Sequence, residues 1–203
     1  MKISIIDYYT GNTESLINAL KLLGYEPHLS NKKDIVKSEI IILPGVGSFG
    51  RAMESLKKLD LIKVINNHVN NGKKIIGICL GMQLLFTRSH EGGLNDGLNL
   101  IQGDVKILKK GKDKIPNVGF RNIIWKNDDS FSDFNYKKYY FTHSFVADPV
   151  NKSEIIAQFS HNENEYCCGI NKNNIFGFQF HPEKSGSNGI NLLDSILNKY
   201  EKI

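Results

Sequence analysis

Two periods of apolar and polar residues alternate along the first ninety positions. "KISIID" (residues 2–7) is a β-branched run that reads as a buried strand, and "NTESLINALKLLG" (12–24) sets Leu16, Ala19, Leu20 and Leu23 at helical spacing before Gly24. "YEPHLS" and "SEIIILPG" predict two more strands. "MESLKKLDLIKVINNHVNNG" predicts a helical stretch interrupted near Asp60, and "KKIIGIC" predicts a strand feeding directly into a helix, "LGMQLLFTRS". Strands that alternate with helices predict strand–helix–strand units on a parallel sheet.

After about Glu91 the pattern changes. "DVKILKK", "FRNIIW", "KKYYFTHSFVA", "SEIIAQFS", "EYCCGIN" and "NIFGFQF" are short, aromatic and separated by turns, which predicts further strands, many of them antiparallel. The closing "SGSNGINLLDSILNKYEKI" returns to helical spacing at Ile190, Leu193, Ile196 and Leu197. The expected fold class is α/β, with a central, mostly parallel sheet flanked by helices and additional antiparallel strands in the C-terminal half. With no internal repeat and no linker-like segment, the 203 residues are expected to form one domain over 1–203.

Composition narrows the class. No apolar run approaches the roughly 20 residues of a spanning helix, and the opening meets Asp7 too early for a signal peptide, so a cytoplasmic location is expected. Cys79, Cys167 and Cys168 form no disulfide framework, in keeping with a reducing compartment. The net charge of +5 comes from scattered lysine pairs rather than a dense stripe. This pattern suits solvated faces better than a polyanion groove, and neither nucleic acid nor membrane is expected as a partner.

Gly77-Ile78-Cys79-Leu80-Gly81 has the form G-x-C-x-G, the thiol counterpart of a nucleophile elbow at a strand-to-helix turn. Glycines permit so tight a turn, the helix N-terminus favours a thiolate, and the Leu80 N–H is aimed where an oxyanion would develop. A nucleophile also needs a base and an orienting group. "FGFQFHPEKSG" offers both: with His181 and Glu183 two apart at a strand end, the carboxylate can hold the imidazole tautomer. His28, His68, His90 and His161 read as surface or core residues, whereas His143 in "YYFTHSF" has a strand-like setting that can face the site. No close-spaced ligand pair supports a metal. "ILPGVGSFG" lacks the pattern of a phosphate loop, and its strand precedes the cysteine strand, so its N–H groups suit oxyanion stabilisation at the same sheet edge.

With "LPGVGSFG", "GICLGMQLL" and "QFHPEKS" in this order, the chain resembles the class I, triad-type glutamine amidotransferases. "IIDYYTGN", "GLNLIQGDV", "KIPNVGF" and "YYFTHSF" extend the likeness over nearly the whole length, most closely to the branch that feeds a cyclase of histidine biosynthesis. The resemblance implies hydrolysis of L-glutamine to glutamate and ammonia through a cysteinyl thioester, with no cofactor. Cys79 would be the nucleophile, His181 the proton shuttle and Glu183 its orienting group. Gly45, Val46, Gly47 and Leu80 would line the oxyanion site, and Gln83, His143, Ser144 and Phe145 would hold the substrate. It further implies a heterodimer with a (β/α)8 barrel cyclase that receives ammonia through a channel, docking near Asn12, Phe120, Tyr140 and Lys184. Two segments depart from the pattern: Gly119-Phe120-Arg121 stands where the family has G-W-N, and the first turn reads "YYTGNT". Both fall on the docking side, leaving a sugar-amidating enzyme of surface-polysaccharide synthesis as the alternative acceptor.

Overall fold

In the computed structural model, which describes residues 1–9, 13–31, 33–126 and 129–198, the β-branched runs of the first half enter one sheet. They are β1 (Ile3–Ile6), β2 (His28–Ser30), β3 (Ile40–Leu43) and β4 (Lys74–Ile78), alternating with α1 (Thr13–Leu22), α2 (Phe49–Lys58), α3 (Leu61–Asn70) and the short α4 (Leu80–Leu84). The break expected near Asp60 is present: Asp60 adopts a left-handed φ of 56° between α2 and α3. The second half contributes β5 (Phe86–Ser89), β6 (Asn95–Asp96), β7 (Ile101–Ile107), β8 (Asn117–Asn122), β9 (Ile124–Trp125), β10 (Lys138–His143), β11 (Phe145–Pro149), β12 (Ile155–His161), β13 (Asn164–Lys172), β14 (Ile175–Phe178) and α5 (Gly186–Asn198).

The main sheet runs β2-β1-β3-β4-β14-β13-β12-β9. The five strands from β2 to β14 are parallel, and β13, β12 and β9 continue antiparallel. Strict alternation divides the apolar side chains of these strands between two cores. Ile40, Ile42, Ile76 and Ile78 join Leu16 and Leu20 of α1 and Leu192 and Ile196 of α5. On the opposite face Ile41, Leu43 and Ile75 join Leu56 of α2 and Ile65 of α3. With helices on both faces, the parallel strands read as unbroken apolar runs. The C-terminal strands add an aromatic block in which Trp125 stacks on Phe131 at 4.5 Å and meets Phe178 edge-on at 6.2 Å.

Two expectations require correction. "LGMQLLFTRS" is not one helix: α4 stops at Leu84, and Phe86–Ser89 forms β5, pairing with β6 and β7 in a separate four-stranded sheet. Its apolar residues suit either period, and the neighbouring β7 decides between them. "KKYYFTHSFVA" likewise divides at Ser144, so that β10 pairs with β8 while β11 pairs with β7. Among the described residues no helix is long and apolar enough to cross a membrane.

Candidate active site

Cys79 lies between β4 and α4 at the carboxyl edge of the parallel strands, with φ 54° and ψ −112°, a conformation costly for a residue bearing a β-carbon. It is held there by its N–H, which donates to the Phe178 carbonyl at 2.7 Å, and by its carbonyl, which accepts from Gln83 N–H at 3.2 Å. The flanking glycines have a steric cause. A β-carbon at Gly81 would lie 1.7 Å from the Leu43 carbonyl oxygen, and one at Gly77 would lie 2.7 Å from Met82 Cα. Both separations are far inside van der Waals contact, so α4 packs onto β3 and β4 only without those side chains. Because α4 has five residues, its dipole is that of little more than one turn, and the nearby imidazole becomes the charge partner that matters.

His181 Nδ1 donates to Glu183 Oε1 at 2.8 Å, and both side chains are buried. The route to that contact differs from the expected strand end: Pro182–Lys184 is a 3-10 turn that folds the carboxylate back onto the ring. Proline at the first turn position suits it, since a missing N–H is harmless there. The imidazole backbone is clamped as well. His181 N–H donates to the Tyr140 carbonyl at 2.8 Å, Ser185 Oγ donates to the His181 carbonyl at 2.6 Å, and Ser185 Oγ accepts from Tyr140 N–H at 2.9 Å. With Nδ1–H committed to an acceptor-only carboxylate, Nε2 is left as the proton-exchanging atom. Burial pushes the imidazolium down, but the Cys79 thiol and the Glu183 carboxylate outweigh it and raise the His181 pKa to about 10. The site therefore favours a protonated imidazole beside the sulfur.

A cavity of about 340 Å³ opens beside Cys79, at the small end of the range for ligand pockets. Val46, Gly47, Leu80, Gln83, His143, Ser144 and Phe145 line it with Cys79, so seven of the expected contact residues come together there. Gly45 instead lines a much smaller cavity with His181, Glu183 and Lys184, and Val46 borders both spaces. The Leu80 N–H does not point freely into the site, because it donates to the Gly45 carbonyl at 3.3 Å. Gln83 Nε2 donates to the Phe145 carbonyl and to Gln179 Oε1, each at 2.9 Å, and Gln179 Nε2 lies 3.8 Å from the Cys79 sulfur.

Three further lining residues escaped the sequence reading: Glu91, Pro116 and Thr142. Glu91 Oε2 accepts from Phe49 N–H at 2.7 Å at the start of α2, a contact across 42 positions that no local pattern announces. The Thr142 carbonyl is 4.0 Å from Cys79 Sγ, and its place beside His143 was the available signal.

Residues 4–198 match the family model described as "Glutamine amidotransferase class-I". The chain belongs to that family. Among curated relatives, this amidotransferase is 37% identical to "Imidazole glycerol phosphate synthase subunit HisH" of Aquifex aeolicus, covering 100% of this chain and 99% of that protein. It is 43% identical to the subunit of the same name from Caldanaerobacter subterraneus, covering 96% of each. The fold matches a crystal structure of a glutamine amidotransferase with a TM-score of 0.77 at 15% identity, covering 98% of this chain and 100% of that one. It matches PurLQS from Thermotoga maritima with a TM-score of 0.76 at 23% identity, covering 98% of each. The fold class read from the sequence is therefore borne out.

Beside His181, the amidotransferase carries an aromatic pair. Phe120 is half exposed and meets Tyr140 edge-on at 5.6 Å, while the Tyr140 ring lies 6.4 Å from the His181 ring. Lys184 is exposed at the mouth of the smaller cavity. Asn12, the fourth residue expected on this face, lies outside the described residues.

Proposed function

We propose that the chain is the glutaminase subunit of an imidazole glycerol phosphate synthase, acting as a single domain in the cytoplasm. The observation that carries the reading is the buried Cys79–His181–Glu183 grouping beside a cavity lined by Gln83, supported by near full-length similarity to proteins named HisH. The Cys79 thiolate attacks the side-chain amide carbon of L-glutamine, forming a C–S bond and a tetrahedral oxyanion. His181 gives its proton to the amide nitrogen, which departs as ammonia when the C–N bond breaks and leaves a thioester. Water, deprotonated by His181, then attacks the thioester, releasing glutamate and restoring the thiolate. Glu183 keeps the imidazole in one tautomer throughout and balances its charge. Gln83, His143, Ser144 and Phe145 hold the substrate.

Ammonia protonates readily in water, so such a site serves a synthetic reaction only when docked on its acceptor. The partner in this reading is a (β/α)8 barrel cyclase, docked on the face of Phe120, Tyr140 and Lys184, with ammonia leaving on the His181 side. The Leu80 N–H becomes an oxyanion donor once the Gly45 carbonyl turns away from it, together with N–H groups of Val46 and Gly47. Docking supplies that rearrangement, so the isolated chain turns over glutamine slowly. The test mixes the purified chain with its cognate barrel subunit and measures glutamate release. Activity that requires both chains and vanishes in Cys79→Ala is expected. Absence of glutamate release from the mixture would overturn the reading, and full turnover by the isolated chain would overturn the coupling.

A further inference from the structure

Behind the cavity wall a chain of polar groups runs from β8 towards the thiol. Its orientation can be deduced from donor and acceptor chemistry alone. Arg121 Nε lies 2.9 Å from Asn117 Oδ1. A guanidinium only donates, so the Asn117 atom facing it is the oxygen. The Asn117 Nδ2 amino group is then the atom 3.0 Å from His143 Nε2, and an amino group only donates. Nε2 therefore carries a lone pair. The ring proton sits on Nδ1, which is 2.9 Å from the Phe145 carbonyl, an obligate acceptor. The same carbonyl accepts from Gln83 Nε2 at 2.9 Å, and the second Nε2 hydrogen of Gln83 goes to Gln179 Oε1.

Each link has one consistent direction, fixed at one end by a guanidinium that only donates and at the other by a carbonyl that only accepts. Asn117 and Arg121 are four apart on β8, on the same side of the strand, which places the guanidinium within reach of the buried amide. Asn117 is fully buried and His143 nearly so, which leaves no solvent to satisfy either group in a flipped arrangement. Burial, with the nearby cationic side chains, also keeps His143 neutral by lowering its pKa to about 4.

We propose that Arg121 is a positioning residue for the glutamine site. By donating to Asn117 it fixes that amide, which locks His143 as the Nδ1–H tautomer and so holds the Phe145 carbonyl and Gln83 at the cavity wall. Removing the guanidinium allows the Asn117 amide to turn its oxygen towards His143. The ring then moves its proton to Nε2 and loses its bond to Phe145.

Nitrogen-15 NMR of imidazole-labelled full-length protein at neutral pH reads the tautomer directly. Wild type is expected to show His143 as the Nδ1–H form and Arg121→Lys to retain it. Arg121→Met, and Arg121→Gln whose amide can present either end, are expected to populate the Nε2–H form. An Nε2–H tautomer in wild type, or an unchanged tautomer in whichever of the Met and Gln variants folds, would overturn the proposal. A second arm rests on the glutaminase reading: with the barrel subunit present, Arg121→Met should raise KM roughly tenfold with a smaller change in kcat, and Arg121→Lys should recover most of it. An equal loss in the two variants would count against positioning. The tautomer is measurable whether or not the chain hydrolyses glutamine, so failure of either reading can be told apart.

Discussion

Two buried histidines flank the Cys79 site and are driven in opposite directions. His181 is set against burial by two partners: the Cys79 sulfur first and then Glu183, which accepts its Nδ1–H, and the pKa rises to about 10. His143 is given only neutral partners, the Asn117 amide and the Phe145 carbonyl, and burial takes its pKa down to about 4. Burial alone would make both neutral. The difference teaches that in this site the groups facing the ring, the Cys79 sulfur and the Glu183 carboxylate against an amide and a carbonyl, decide whether a buried imidazole holds a second proton.

The most severe way to break the comparison is Cys79→Ala, which removes the thiol beside His181 and with it the nucleophile of the proposed reaction. Glutamate release in the presence of the barrel subunit should fall by about 10⁴-fold or more. Glu183→Gln comes next. It removes one of the two groups that hold the second proton on His181 and leaves the Cys79 sulfur, so release should fall about 10³-fold and the His181 pKa, followed by NMR, should drop below about 10. A pKa unchanged at about 10 would refute the role given to the carboxylate.

The stability of the isolated chain tests both histidines together. His143 holds its proton less readily when folded than when unfolded, so its contribution is complete above pH 6.5 and declines as pH falls towards 4. That fall corresponds to about 3 kcal/mol at most. His181 has the opposite sign: its contribution is complete below pH 6.5 and is lost as pH rises through about 10. Urea denaturation should therefore show stability declining on both sides of neutrality, and His143→Gln should flatten the acid side alone. The mildest change is Asn117→Asp, which lends His143 a carboxylate of its own. Its pKa should rise towards or above the ordinary 6.5, with glutamate release reduced several-fold, roughly 1 kcal/mol. An imidazole that stays neutral through this change would show that burial, rather than the partner, governs it.

Much of this site was legible before any coordinates. The glycines of G-x-C-x-G mark a turn too tight for side chains, and His181 with Glu183 mark an imidazole paired with a carboxylate, because a glycine at a turn and a partner two positions away both show in the local sequence. The "LPGVGSFG" loop was placed correctly at the edge shared with Cys79, since β3 and β4 are successive and adjacent. Glu91, Pro116 and the relay through Asn117 were not legible. Glu91 bonds to Phe49 and Asn117 to His143 across long stretches of chain, and a lone Glu or Asn carries no periodic signal. The helix expected over "LGMQLLFTRS" failed for the same reason: its last residues answer to β7 rather than to their neighbours.

The sequence by itself determined the alternation of strands and helices, the glycine-flanked turn at Cys79 and the pairing of His181 with Glu183, because local propensities and contacts within a few residues act the same way in any surroundings. Only the tertiary structure decided which strand ends meet at the thiol, that the Gly45 carbonyl occupies the Leu80 N–H, and that His143 is neutral while His181 is charged. Those outcomes depend on burial and on partners brought together by the sheet order, and the charge state of a buried group is set by what surrounds it in space.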